Sequence, residues 1–133
     1  MAKRSDVSRR LTGVKRFSEL SDRDLARVAD AGRLVHLPAQ WSLMAETTPA
    51  DKAYVILEGQ AEVRVKGETV ATVGPGDIIG EIGVLEKRLR TAAVVSTSEL
   101  EVVHFTNEDL ARLVEDIPAF GAALRATAAE HEG

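Results

Sequence analysis

The chain has 133 residues, enough for one domain that buries about two thirds of its unfolded surface. With 44% hydrophobic and 29% charged residues it reads as an ordinary globular protein, with no apolar run near the length that spans a bilayer. A formal net charge of −4 argues against a dedicated nucleic-acid binder, and zero cysteines exclude disulfides, thiolate chemistry and sulfur-ligated zinc.

The start, MAKRSDVSRR, is charged and lacks an apolar core after it, so the expected location is the cytoplasm. Lys3, Arg4, Arg9, Arg10, Lys15 and Arg16 make this end basic while the remainder is acidic, which reads as a solvated helix face. Val7, Leu11 and Val14 recur at helical spacing and predict an amphipathic helix that continues through Gly13. Ser21 followed by Asp24 resembles a capping box and opens a second helix with Leu25, Val28 and Ala29 on one face.

From Gly32 the period changes to two. Leu34, Trp41 to Met44 and Tyr54 to Leu57 are strand-like, and Gln60 to Lys66 alternates Ala61, Val63 and Val65 against Glu62, Arg64 and Lys66. Lys66, Gly67 and Glu68 form a hairpin turn into Thr69 to Val73, and Ala92 to Val95 and Leu100 to Phe105 supply two more strands. Many short strands with regular turns predict a β-roll, closed to hide its edges. Thr106 with Asp109 repeats the capping pattern before the stripe Leu110, Leu113, Val114 and Ile117, and Pro118 starts a final short helix carrying Phe120, Ala123 and Leu124. The expected architecture is mainly β with flanking helices, a single domain over 1–133: helices in 1–31, the roll in 32–105, and two C-terminal helices in 106–133.

The segment Gly80 to Ala93, GEIGVLEKRLRTAA, concentrates the chemistry. Gly74, Pro75 and Gly76 signal a turn, Asp77 to Ile79 a short apolar strand, and Gly80 allows close backbone approach. Ile82 to Leu85 is long enough for about one helical turn, whose first amides lack partners inside the helix. Such an end favours an anion, and the fork of Arg90 can complete a phosphate site by holding two oxygens at once. Glu81 repels phosphate, so its natural partner is a donor such as a sugar hydroxyl. Without further context a Glu and an Arg at this spacing are a surface ion pair; the glycine turn and the apolar turn between them favour a pocket. Lys87 and Arg88 read as solvated loop charges.

These residues resemble the phosphate-binding cassette of the cyclic nucleotide-binding domains found in bacterial catabolite activators, protein kinase A regulatory subunits and nucleotide-gated channels. The family pattern of Gly-Glu, a helical turn, a variable loop, then Arg, a small or hydroxylated residue and Ala falls on Gly80, Glu81, Ile82 and Gly83, then Arg90, Thr91 and Ala92. The resemblance, which covers nearly the whole chain, implies an eight-stranded jelly-roll-like β-roll with cassette 80–92. It implies the ribose 2′-hydroxyl on Glu81, the cyclic phosphate on Arg90, and backbone amides of Ile82, Gly83 and Thr91 completing the cradle. It implies cyclic AMP as ligand, although a threonine at the Thr91 position accompanies guanine selectivity, and so cyclic GMP, in some relatives. Phe120 and Leu124 are its candidates for an apolar cover over the base. The chain departs from the pattern at Leu89, where the family often has proline, and at Gln40 and Thr47, where glycines are usual; neither replacement is expected to take a positive φ.

The competing class is a nucleotide-free interaction module of the same fold, with the basic N-terminal helix or the C-terminal helix as contact surface, an unidentified protein partner, and homodimerisation left open. A metal-dependent cupin shares the outline, but His36, His104 and His131 show no HxH spacing, and no nucleophile stands with a paired base, so neither a catalytic cofactor nor enzyme activity is expected.

Overall fold

The computed structural model describes residues 4–44, 52–79 and 92–124. Helix α1 (Arg4–Thr12) buries Val7 and Leu11, then stops: Gly13 N–H bonds Arg10 O at 3.2 Å, and Val14 leads instead into a 3₁₀ turn, Lys15–Phe17. The sequence reading ran the helix through Gly13. Val14 and Phe17 are buried all the same, because the tighter turn directs both inward. Helix α2 (Asp22–Ala31) is capped as the sequence predicts, with Asp24 N–H donating to Ser21 Oγ at 3.1 Å, and buries Leu25, Val28 and Ala29.

Eight strands follow among the described residues, paired antiparallel in two sheets. They are β1 (Arg33–Leu37), β2 (Ser42–Met44), β3 (Lys52–Glu58), β4 (Ala61–Val65), β5 (Glu68–Val73), β6 (Ile78–Ile79), β7 (Ala93–Ser96) and β8 (Leu100–Thr106). Sheet A has the order β1-β8-β3-β6 and sheet B the order β2-β7-β4-β5. The alternation read in Gln60 to Lys66 is the physical pattern of β4: Ala61 and Val63 face the other sheet, while Glu62 and Arg64 point outward. There Glu62 Oε1 accepts from Arg64 Nη2 at 2.8 Å and from Thr69 Oγ1 at 3.1 Å, which holds the Glu62 carboxyl below its usual range. The β4–β5 hairpin closes through Lys66 and Gly67, at φ 52° and 82°, the left-handed pair that a two-residue turn between twisted strands demands. The ladder slips between Val63 and Arg64, leaving Val70 unpaired at 59% exposure; this bulge interrupts the β5 edge.

Sheet A is covered on both faces. Tyr54 and Ile56 of β3 with Leu100 and Val102 of β8 face sheet B and join Leu43, Ala61, Val73, Ile79 and Val94 in one apolar cluster. Ala53, Val55, Val103 and Phe105 face the helices. Helix α3 (Asn107–Asp116), capped by Thr106 Oγ1 accepting from Asp109 N–H at 3.2 Å, packs there through Leu110 and Leu113, followed by Ile117 and helical residues 118–124. Phe120 lies between Phe17 and Phe105, with ring centroids at 5.6 and 6.3 Å, so the first and last helical segments share one core.

Candidate functional site

The sequence places Gly80, Glu81, Ile82, Gly83, Arg90 and Thr91 in the cassette, and all six lie outside the described residues. Ala92 is described: half-buried, in a bend that runs directly into β7. The residues on either side of the cassette are set by the two sheets. The chain leaves sheet A at Ile79, opposite Tyr54, and enters sheet B at Ala93, opposite Arg64.

Both anchors are firm for local reasons. Ile78 and Ile79 are 1% and 4% exposed and sit on opposite faces of a two-residue strand, Ile78 in the helix-side core and Ile79 in the roll interior. The turn before them carries Gly76 at φ 92°, a conformation that only glycine takes without strain. It is tied internally by Gly74 N–H to the Asp77 carboxylate at 2.8 Å, and to β3 by Gly76 N–H to Ile56 O at 2.8 Å and Ile56 N–H to Asp77 O at 2.9 Å. On the exit side, β7 is hydrogen-bonded on both flanks, by β2 and β4, and buries Val94 and Ser96.

The inward faces of the two sheets pack on each other in one apolar cluster, Tyr54, Ile56, Leu100 and Val102 of sheet A against Leu43, Ala61, Val63 and Val94 of sheet B. The alternating positions of β3 and β8 signal the strands in the sequence, and only their pairing shows that these side chains meet. Among the described residues no three His, Asp or Glu side chains form a metal-binding group. His36 is exposed and bonds Glu101 Oε2 through Nε2 at 2.8 Å, while His104 rests against Tyr54 with centroids at 5.4 Å.

One expectation is corrected. Gln40 does take a positive φ, 63°, because Gln40 N–H bonds Ser96 O at 2.8 Å and holds the turn from outside; Thr47 lies outside the described residues. Phe120 and Leu124, the candidates for an apolar cover, are both fully buried in the helix-side core.

The family model for the cyclic nucleotide-binding domain matches residues 34–116. The cAMP-dependent protein kinase regulatory subunit of Aspergillus fumigatus is 31% identical over 112 residues, 80% of this chain and 27% of that protein. The chain thus spans about a quarter of the length of the curated regulatory subunits it matches. A cyclic nucleotide-binding-like protein from Brucella abortus superposes with a TM-score of 0.68 at 29% identity, covering 83% of this chain and 98% of the other. The fold alone extends to a protein kinase A regulatory domain solved with Sp-2Cl-cAMPS, at TM-score 0.86, 19% identity, and 98% and 87% coverage.

Proposed function

We propose, from the premise that this chain belongs to the cyclic nucleotide-binding domain family, that it is a sensor for a cyclic nucleotide, with cyclic AMP ahead of cyclic GMP. What supports the reading is the cassette sequence in its place along the chain: Gly80–Gly83 and Arg90–Ala92 fall between the last residue of sheet A, Ile79, and the entry into sheet B at Ala93. A cyclic nucleotide has a charged ring phosphate, a ribose hydroxyl and a flat base. The arginine fork and the amides of Ile82, Gly83 and Thr91 suit the phosphate, Glu81 suits the hydroxyl, and apolar side chains of the roll suit the base. The preference for cyclic AMP draws support from the fungal relatives, which are named for it.

On this reading 1–133 works as one unit that binds and does not transform its ligand, in the cytoplasm, and passes the signal to a protein partner. Among the described residues no helix is long and apolar enough to cross a membrane. Ligand shifts the flanking helices only by preferring one of their arrangements. Bringing an apolar cover over the base from 118–124 means withdrawing Phe120 from between Phe17 and Phe105.

Calorimetric titration of nucleotide-stripped protein with cyclic AMP, cyclic GMP and, as control, AMP tests the reading. Binding is expected for a cyclic nucleotide and not AMP, weakened in Arg90→Ala by roughly 2 to 5 kcal/mol as a desolvated anion loses its cation. Trp41, the sole tryptophan, is bonded through its backbone to Ser96 of the strand leaving the cassette and gives a parallel fluorescence readout. A folded, ligand-free protein that binds neither cyclic nucleotide is instead the interaction module.

A further inference from the structure

We propose that Arg10 is a positioning residue for the nucleotide site, acting through β3 on the turn that delivers the chain into the cassette, and the proposal rests on the reading above. Arg10 sits in the last turn of α1, on the helix side of sheet A. Its Nη2 lies 2.9 Å from Glu101 Oε1 and 3.5 Å from Glu58 Oε1, so one nitrogen serves two carboxylates. The second oxygen of Glu101 takes His36 Nε2 at 2.8 Å. Helix α1 and three adjacent strands, β1, β8 and β3, thereby meet at one charge cluster.

The two acids come together because of a register slip. Glu58 and Glu101 are direct cross-strand partners, and the β3–β8 ladder is irregular between Ile56 and Glu58, which turns both Leu57 and Glu58 toward the helices. Like charges opposite each other push strands apart, so this irregular stretch of β3 holds its shape only while a cation stands between them. The same stretch carries the turn: Ile56 donates to Asp77 O at 2.9 Å and accepts from Gly76 N–H at 2.8 Å. Ile78, Ile79 and Gly80 follow at once. On its α1 side the turn faces an open cleft of about 690 Å³, lined by Arg10, Lys15, Glu58, Pro75 and Asp77 among others, so apolar packing does not brace it there. Its hydrogen bonds to β3 hold it against sheet A, and Arg10 keeps β3 in place to make them.

The test is a charge-relief cycle on the full chain: Arg10→Met, which keeps the apolar stem and removes the charge, Glu58→Gln, and the double variant. Hydrogen exchange at the Ile56 and Gly76 amides is read first. Arg10→Met is expected to speed both by about tenfold, within the range of coupling found for neighbouring groups, and the double variant to return toward the wild-type rate because no repulsion remains. Cyclic nucleotide affinity should fall by about five- to tenfold in Arg10→Met, in the same coupling range, and recover in the double variant. Simple loss of α1 docking predicts equal damage in single and double variants; that result, or unchanged exchange in Arg10→Met, overturns the proposal. If Arg10→Met does not fold, Arg10→Lys replaces it, with smaller acceleration and the same rescue expected. A wild-type chain that binds no cyclic nucleotide removes the affinity arm and the functional reading together, while the exchange arm still decides whether Arg10 holds the turn.

Discussion

The hydroxyl of Ser96, fully buried, donates to Pro38 O at 2.7 Å and accepts from Trp41 N–H at 2.8 Å, and its backbone bonds Gln40 N–H and Trp41 O. One residue thus ties down a turn 55 positions away and keeps Gln40 in the left-handed region, where a side chain costs about 1 to 2 kcal/mol. Ser96→Ala leaves the Pro38 carbonyl and the Trp41 amide without that partner. Stability is expected to fall by about 1 to 3 kcal/mol, read from urea unfolding; an unchanged midpoint means that water replaces the hydroxyl. The same contact explains why the residue-level reading misjudged Gln40. Local preference counts side-chain strain but is blind to a hydrogen bond supplied by a distant strand. Glu81 and Arg90 are a different case: spacing and residue type alone carry the cassette pattern, and both residues lie outside the described ones.

Elements were more legible than their pairing. The predicted strands Gln60–Lys66, Thr69–Val73, Ala92–Val95 and Leu100–Phe105 match β4, β5, β7 and β8 to within a residue at each end, because alternation is a property of the strand itself. That β8 sits between β1 and β3 was not legible, since pairing depends on contacts far apart in sequence. Nor was the 3₁₀ turn, because Val14 falls at helical spacing whether the helix continues or tightens. That turn matters to the helical layer as a unit: Phe17, which it presents, packs on Phe120, and Phe120 on Phe105 of β8. Phe120→Ala should therefore cost about 3 to 5 kcal/mol, with Phe120→Leu costing less. Amide exchange should rise in the 3₁₀ turn and in 118–124 alike; a loss confined to 118–124 means that the two ends of the chain do not share a core.

At the scale of the whole molecule, two carboxylates among the described residues tie separate parts of the fold to pH. Arg10 beside Glu101, by its hydrogen bond and then its charge, holds that carboxyl below the usual 4.5 against the opposing effect of partial burial, with His36 adding to it. Arg64 and Thr69 do the same for Glu62 in sheet B. A carboxyl whose pKa is depressed on folding stays charged in the native state where the unfolded chain already takes up a proton. Its contribution to stability is fully present above the unfolded pKa and is lost as pH falls through the folded one. Urea unfolding midpoints should thus be level from pH 7 to 5 as far as these groups are concerned, and decline below about pH 4.5, near the unfolded carboxyl value. Glu62 is the more exposed of the two, with a side chain 30% accessible against 18%, so solvent screens its share and Glu62→Gln should change the profile little. Glu101→Gln should lower the midpoint at neutral pH and flatten the acid limb, because the group that titrates is gone. Parallel curves for wild type and Glu101→Gln through the acid window mean that the junction of α1 with sheet A adds nothing to acid sensitivity. A flattened limb makes that junction the acid-sensitive contact that joins the helical layer to the roll.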